Sequence, residues 1–312
     1  LGGLPKQGQT LEEVKDLLLN EIKKLRAGEF DEKMLQANIN NFKLYELQSM
    51  ESNEGRADIF VNSFINGTNW EDEVTAIDRM AKLTKEDIVA FADKYLKEDN
   101  YAVVYKKQGK DPNEKKMTKP EITPIVSNRD VASPFLTSIQ ENAVKPIEPV
   151  FLDFKKDMSQ LTAKSDIPVL YKQNTTNDLF QLIYVFDMGN NNDKALGTAF
   201  DYLEYLGTSD MTPEELKSEF YRLACTFYVS PGNERTYVVL SGLNENMPAA
   251  MQLFEKLLAD AQVNKEAYNN LVGDILKARA DAKLNQGQNF SRLMNYAMYG
   301  PKSPATNLLT EA

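Results

Sequence analysis

Apolar residues at helical spacing dominate the first hundred positions, and alternating β-branched and aromatic runs appear only later. Leu11, Val14, Leu17, Leu18, Ile22 and Leu25 recur on one face of a helix that Thr10 caps, with Glu12 and Glu13 in its first turn. Ala27-Gly28 stops it, as a left-handed C′ glycine does. A second helix starts near Asp31 with Met34, Leu35, Ile39, Phe42, Leu44, Tyr45 and Leu47, and the pattern allows extension into 56–64 with Gly55 as a candidate break. A loop at 66–68 leads to a short helix over 70–80. Thr84 then caps another helix, with Asp87 completing a weak capping box, and this helix runs out at 97–100. The run Tyr101-Ala102-Val103-Val104-Tyr105 predicts a strand.

From 106 to about 150 the periodicity fades, and Pro112, Pro120, Pro124, Pro134, Pro146 and Pro149 accumulate among Lys and Glu. Such a stretch predicts a linker between a first region, 1–105, and a second, 151–312. Leu136 and Ile139 suggest one docking turn inside it. In the second region, short strands are expected at 151–154 and 161–162. A hairpin is expected between 167–171 and 179–186, turning at 174–177. A polar loop at 189–193 precedes a helix over 195–206, and Thr212-Pro213 starts another that reaches Leu223. Strands at 226–230 and 235–242 flank the turn Pro231-Gly232-Asn233-Glu234. Helices follow over 247–261 and 265–284, and 289–299 begins one more. Strands in pairs followed by helices in pairs argue an α+β fold, an antiparallel-rich sheet with helices on one face. The start at Leu1-Gly2-Gly3-Leu4-Pro5, without an initiator methionine, and the end at Ala312 read as cuts within a longer chain.

Composition narrows the chemistry. The chain has 312 residues and no histidine, which removes the usual metal ligand and the usual general base near neutral pH. Its formal net charge of -10 disfavours nucleic acid and anionic membrane surfaces, and is otherwise a solubility feature. Lys106, Lys107, Lys110, Lys115 and Lys116 form a basic cluster without interleaved aromatics, the mark of a solvated linker rather than a nucleic-acid site. Nothing in the sequence is long and apolar enough to span a membrane. Cys225, the single cysteine, sits in the apolar run Leu223-Ala224-Cys225-Thr226-Phe227, so a buried, inert thiol is expected and no intrachain disulfide is possible.

A short helix after a β-hairpin, then a loop, a second helix and a second hairpin, resembles the pitrilysin/insulinase-type zinc peptidases, the inverzincins. Their active domains carry H-x-x-E-H on that first helix, where two imidazoles one turn apart face a zinc ion and the glutamate activates the bound water. The matching positions here read Asp201-Tyr202-Leu203-Glu204-Tyr205. Asp201 and Tyr205 replace both histidines, and Glu204 matches the catalytic glutamate by position alone. The family's third ligand falls near Asp281 and is not carried over, because the register of that helix does not fix it. One carboxylate and one neutral phenol make a poor zinc site, so no catalytic, cofactor or metal residue is expected in this chain. A second reading puts Asp201 and Tyr205 on a helix face packed near the domain interior.

The resemblance extends over most of the chain. The segment Ile77-x-x-Met80-x-x-Leu83-Thr84-x-Glu86-Asp87-Ile88 is similar to one that recurs before the closing strand of a family domain. It implies that 1–105 is the C-terminal part of one such domain, 106–150 the linker, and 151–312 a degenerate, metal-free copy truncated at its C-terminus. The whole would be the central part of a clamshell endopeptidase, with zinc bound by an N-terminal domain outside these residues. Its implied partners are the N-terminal half of the same polypeptide and peptide substrates, and its implied setting is a bacterial periplasm or cell envelope. A scaffold or binding protein of the same fold, with no peptidase activity, is the rival implication. Phe227, Tyr228 and Val229 resemble the family's strand that takes up an extended peptide, unless they only pair within the sheet. Phe180, Tyr184, Phe186, Tyr202 and Tyr205 either line a substrate chamber or form ordinary core.

Overall fold

The computed structural model describes residues 1–6, 8–109, 117–125, 130–303, 306 and 309. Pro112, Lys110, Lys115 and Lys116, part of the expected linker and basic cluster, lie outside the described residues. The protein divides into two compact units. The first joins Leu1–Tyr101 to Asn174–Ala312, and the second is Ala102–Gln173.

Residues 1–101 of the first unit are helical. α1 (Leu11–Ala27) opens on the capping box expected at Thr10: the Glu13 amide donates to Thr10 Oγ1 (3.2 Å), and the Thr10 amide donates to Glu13 Oε2 (2.7 Å). Gly28, at φ 70°, ends it. α2 (Lys33–Ser49) and α3 (Asn53–Asn66) are separate helices, and the break falls at Ser52 rather than Gly55. Ser52 caps α3 by accepting from the Gly55 amide, and a Cβ on Gly55 would stand 1.8 Å from the Ser49 carbonyl oxygen. Glycine is needed there for close approach, not for a turn. The helix expected over 70–80 is two short ones, α4 (Trp70–Val74) and α5 (Ala76–Met80), divided at Thr75, whose hydroxyl donates to the Glu71 carbonyl. α6 (Lys85–Tyr95) carries the Thr84/Asp87 capping box and packs on α1, where the Arg26 guanidinium holds Asp93 at 2.8 Å.

In the second unit, α7 (Pro134–Gln140) is the helical turn expected around Leu136 and Ile139, but both side chains are largely exposed. β1 (Ser159–Thr162) pairs antiparallel with β2 (Pro168–Tyr171). The expected strands at 101–105 and 151–154 do not form. Their apolar side chains Val104, Phe151 and Leu152 are exposed, and among the described residues no strand pairs with them.

The remainder of the first unit holds β3 (Leu179–Phe186), α8 (Leu196–Leu203), α9 (Pro213–Arg222), β4 (Cys225–Pro231), β5 (Thr236–Leu243), α10 (Met247–Asp260), α11 (Lys265–Ala282) and α12 (Gln286–Tyr299). The fold is α+β, and the strands form an antiparallel sheet in the order β3-β5-β4. The expected hairpin of 167–171 with 179–186 is therefore wrong: β2 pairs with β1, and β3 pairs with β5 from Leu179↔Leu243 to Phe186↔Thr236. The alternation of β3 was visible, but a two-residue period identifies a strand and not its partner.

One face of this sheet carries Phe180, Leu182, Tyr184, Cys225, Phe227, Val229, Val238 and Leu240 into the main core. α9 supplies Leu216 and Phe220, and α10 supplies Ala250, Phe254 and Leu257, the last three fully buried. Phe227 stacks obliquely between Phe220 (5.1 Å) and Phe254 (5.0 Å). Each such side chain contributes about 1.5–3 kcal/mol by leaving water. On the other face, one end is covered where Leu44 and Leu47 of α2 meet Leu179, Ala224 and Leu243, and Val239 is buried between its neighbours. Farther along it, Ile183, Val185, Tyr228 and Tyr237 remain exposed.

Candidate functional site

α8 is held beside β4 by the loop that precedes it. The amides of Asn190 and Asn191 donate to the carbonyls of Gly232 (2.9 Å) and Asn233 (2.9 Å), in the turn between β4 and β5. The Asn190 side chain accepts from the Gly197 amide (3.2 Å) and donates to the Pro231 carbonyl (3.3 Å), which joins the first turn of α8 to the same hairpin. A Cβ on Gly189 would lie 2.5 Å from the Gly232 carbonyl, so the loop closes this tightly only with glycine. The polar run at 189–193 is thus a clamp, and α8 packs directly on β4.

α8 ends sooner than expected. Leu203 is its last residue, Glu204 is the cap, and Tyr205 lies in the turn beyond. The helix has no side chain capping its start and carries no basic residue in its last turn, so its length is set by packing on β4 rather than by local signals. Positions 201 to 205 are therefore only partly helical. Asp201 and Glu204 are exposed, and Tyr205 is 44% exposed with the Lys217 ammonium over its ring at 5.4 Å. The reading that placed Asp201 and Tyr205 on an interior-facing surface is corrected: Leu203 and Leu206 are the buried residues of this turn. Tyr202 is also fixed, since its hydroxyl donates to the Asn264 carbonyl (2.6 Å) and accepts from the Asn264 amide (2.8 Å), with Tyr268 edge-on at 5.7 Å. Asp281 lies on α11, in an exposed pair with Lys277 (2.7 Å).

These residues do not fit a zinc ion. The phenol at 205 lies past the helix end and already faces a cation, and the exposed carboxylates at 201 and 204 have no imidazole to join them. Among the described residues, no group of three or more His, Cys, Asp or Glu side chains is placed to hold a metal. Cys225 is buried, and desolvation pushes its thiol up to about 11, which keeps it protonated and unreactive near neutral pH.

The aromatic residues divide. Phe180 is core, and Tyr184 and Tyr202 pack against it, whereas Phe186 and Tyr205 are exposed. Burial and the nearby Glu255 carboxylate raise the Tyr184 phenol above its ordinary range. Phe227, Tyr228 and Val229 lie in the middle of β4, an edge of the sheet. Phe227 and Val229 turn to the core, and Tyr228 is 51% exposed on the opposite face.

Beyond Tyr205, a loop missed at the sequence level builds an open cleft of about 540 Å³ between residues 207–213 and 262–265. The Gln262 amide donates to the Gly207 carbonyl at 3.0 Å. Asp210 accepts from Lys256 and from the Thr208 hydroxyl, and these bonds hold its carboxyl below the usual range. Asp260 is lowered likewise by the hydroxyl and amide of Ser209. These bonds tie the loop to the end of α10. The run Gly207-Thr208-Ser209-Asp210 is ordinary turn composition and gave no sign of the cleft.

No family profile and no curated protein sequence matches the chain. Several solved structures have a similar fold at low scores. A peptidase M16 inactive domain from Pseudomonas fluorescens is 17% identical with a TM-score of 0.43, over 48% of this chain and 37% of that one. The periplasmic protease PqqL from Escherichia coli is 14% identical with a TM-score of 0.43, over 96% of this chain and 35% of that one. A protease from Helicobacter pylori is 12% identical with a TM-score of 0.35, over 39% and 30%. The chain thus spans about a third of the length of the solved structures it matches. Likeness at these scores says nothing about activity.

Proposed function

We propose that this chain is a non-catalytic segment of a zinc-dependent endopeptidase of the pitrilysin/insulinase type, serving as a wall and peptide-contact surface. The single observation behind this reading is the placement of α8. The helix that resembles the metal-bearing one lies against an edge strand, and its motif positions carry Asp201, Glu204 and Tyr205. Helix and strand are kept together while both imidazoles are gone. Hydrolysis would then depend on an N-terminal domain outside these residues, with that half of the polypeptide and a peptide as the partners and a periplasmic or envelope setting for the parent.

The peptide-contact role falls to β4. Its outer edge has no strand partner among the described residues, and main-chain groups along Phe227-Tyr228-Val229 are of the kind that an extended peptide pairs with. The exposed Tyr228 ring supplies contact area on one face of such a peptide.

Two measurements test this reading. The chain, supplied with zinc and an unstructured peptide, should give no turnover; clear zinc-dependent cleavage would contradict it. The residues that precede Leu1 in the parent should contain H-x-x-E-H, and a parent without that motif would instead be a scaffold of this fold.

A further inference from the structure

We propose that the two stretches on either side of residues 102–173 are joined by an interface that holds without them, keyed by an asparagine strip on α2. The proposal is independent of the chain's activity. It starts from a burial pattern. Ala37, Asn41 and Leu44, spaced four and three residues apart on α2, are buried to 0%, 6% and 4% exposure, while Phe42 and Tyr45 of the same helix are more than half exposed. An amide in the middle of an otherwise apolar stripe needs a partner, because an unpaired buried amide is costly.

That partner is the C-terminal end of α9, whose last carbonyls receive no N–H donor from within their own helix. Asn41 Nδ2 donates to the Tyr221 carbonyl at 2.7 Å and to the Ala37 carbonyl of α2 at 2.8 Å. The Ala224 amide takes the other position on the Tyr221 oxygen, at 3.0 Å. Asn40 Nδ2 reaches the Arg222 carbonyl at 3.4 Å, and the Tyr221 hydroxyl donates back to Asn38 Oδ1 at 2.5 Å. Two asparagines thus cap one helix end, and a third, Asn38, holds the side chain of its last turn. Below them, Leu44 and Leu47 close over Leu179, Ala224 and Leu243 on the sheet. At the rim, Lys43 pairs with Glu245 (3.3 Å) and the Asn177 side chain donates to Glu51 (3.1 Å).

None of these contacts uses a residue between 102 and 173. The surface made by the α9 terminus and the end of the sheet fits a helix that shows Ala, Asn and Leu on one stripe. Sliding α2 by a turn would cost Asn41 its bond to the Tyr221 carbonyl and leave it only the bond to Ala37 of its own helix, so the amide favours one register as well as the partner. A purely apolar stripe would bind without choosing either.

The experiment uses the full chain with a protease site inserted in the exposed 117–125 stretch. After complete cleavage, the two pieces should co-elute in size-exclusion chromatography across a dilution series. Asn41→Leu, which keeps the branched outline and the helix, should weaken their association by about tenfold. Lys43→Glu should weaken it by a smaller factor, and adding Glu245→Lys should restore it. The helical circular dichroism signal of each uncleaved variant checks folding, and the charge-swap pair stands if Asn41→Leu fails that check. Separation of the cleaved unmodified pieces, or unchanged association in both Asn41→Leu and Lys43→Glu, would overturn the proposal.

Discussion

Phe64 and Phe254 lie on helices of 14 residues each, α3 and α10, yet one is 88% exposed and the other 0%. α10 lies on a sheet whose strands present Phe180, Phe227 and Leu240 toward it, so its apolar stripe has somewhere to go. α3 has no sheet beneath it, and Phe60, Phe64 and Ile65 face solvent with Trp70 stacked on Phe60 at 4.5 Å. The helices of residues 1–101 are defined instead by their ends: Thr10, Ser52, Asn69 and Thr84 each cap with a side-chain oxygen. A sheet therefore gives the later region a core, whereas the earlier one is made of helices, four of the six described ones with a side-chain cap, and the buried stripe on uncapped α2 packs on a neighbour.

The sharpest way to break this contrast is to truncate both phenylalanines. Phe254→Ala should cost about 3–5 kcal/mol in urea unfolding, and Phe64→Ala should stay within about 0.5 kcal/mol. Equal losses would mean that α3 carries a core of its own. Next in size is Gly242→Ala, because a Cβ there would meet the Ala224 carbonyl oxygen at 2.4 Å and Cys225 Sγ at 2.5 Å. Crowding of backbone by backbone gives little room to relax, and a loss of about 1–3 kcal/mol is expected in the same assay.

Smaller effects compare the caps. Thr212→Ala and Thr84→Ala each remove a capping box and should each cost about 1 kcal/mol. Hydrogen exchange should show the Thr84 change confined to α6 and its contact with α1, and the Thr212 change spread through the core that α9 helps to build. Another effect, confined to alkaline solution, is set by pH. Cys225 titrates at about 11 in the folded chain against an ordinary 9.0, so the folded state keeps a proton that the unfolded state releases. Its contribution is full below pH 9 and fades as pH rises toward about 11. Cys225→Ser should flatten that part of the stability profile, and alkylation of the native thiol at pH 9 should lag far behind that of the unfolded chain.

Local signals were readable from the residues alone. Capping pairs, the glycine at 28, the Pro231-Gly232 turn and the β4–β5 hairpin all formed where Thr, Glu, Gly and β-branched residues placed them. What could not be read was partnership. β3 pairs with a strand some fifty residues on instead of its neighbour β2, and the apolar run at 101–105 stays unpaired. Nor did the sequence disclose that α8 stops at Leu203, because that end follows from packing on β4 and from the pull of Leu206 toward the core. Nothing in the sequence singles out the asparagines at 38, 40 and 41, and only the fold brings them to the end of α9.

The most direct measurement of the proposed role is backbone amide exchange of the intact chain with and without a saturating unstructured peptide. The account predicts slower exchange on the outer edge of β4, around Phe227, Tyr228 and Val229, with the peptide recovered uncut. Unchanged exchange along β4, or a cleaved peptide, would contradict it.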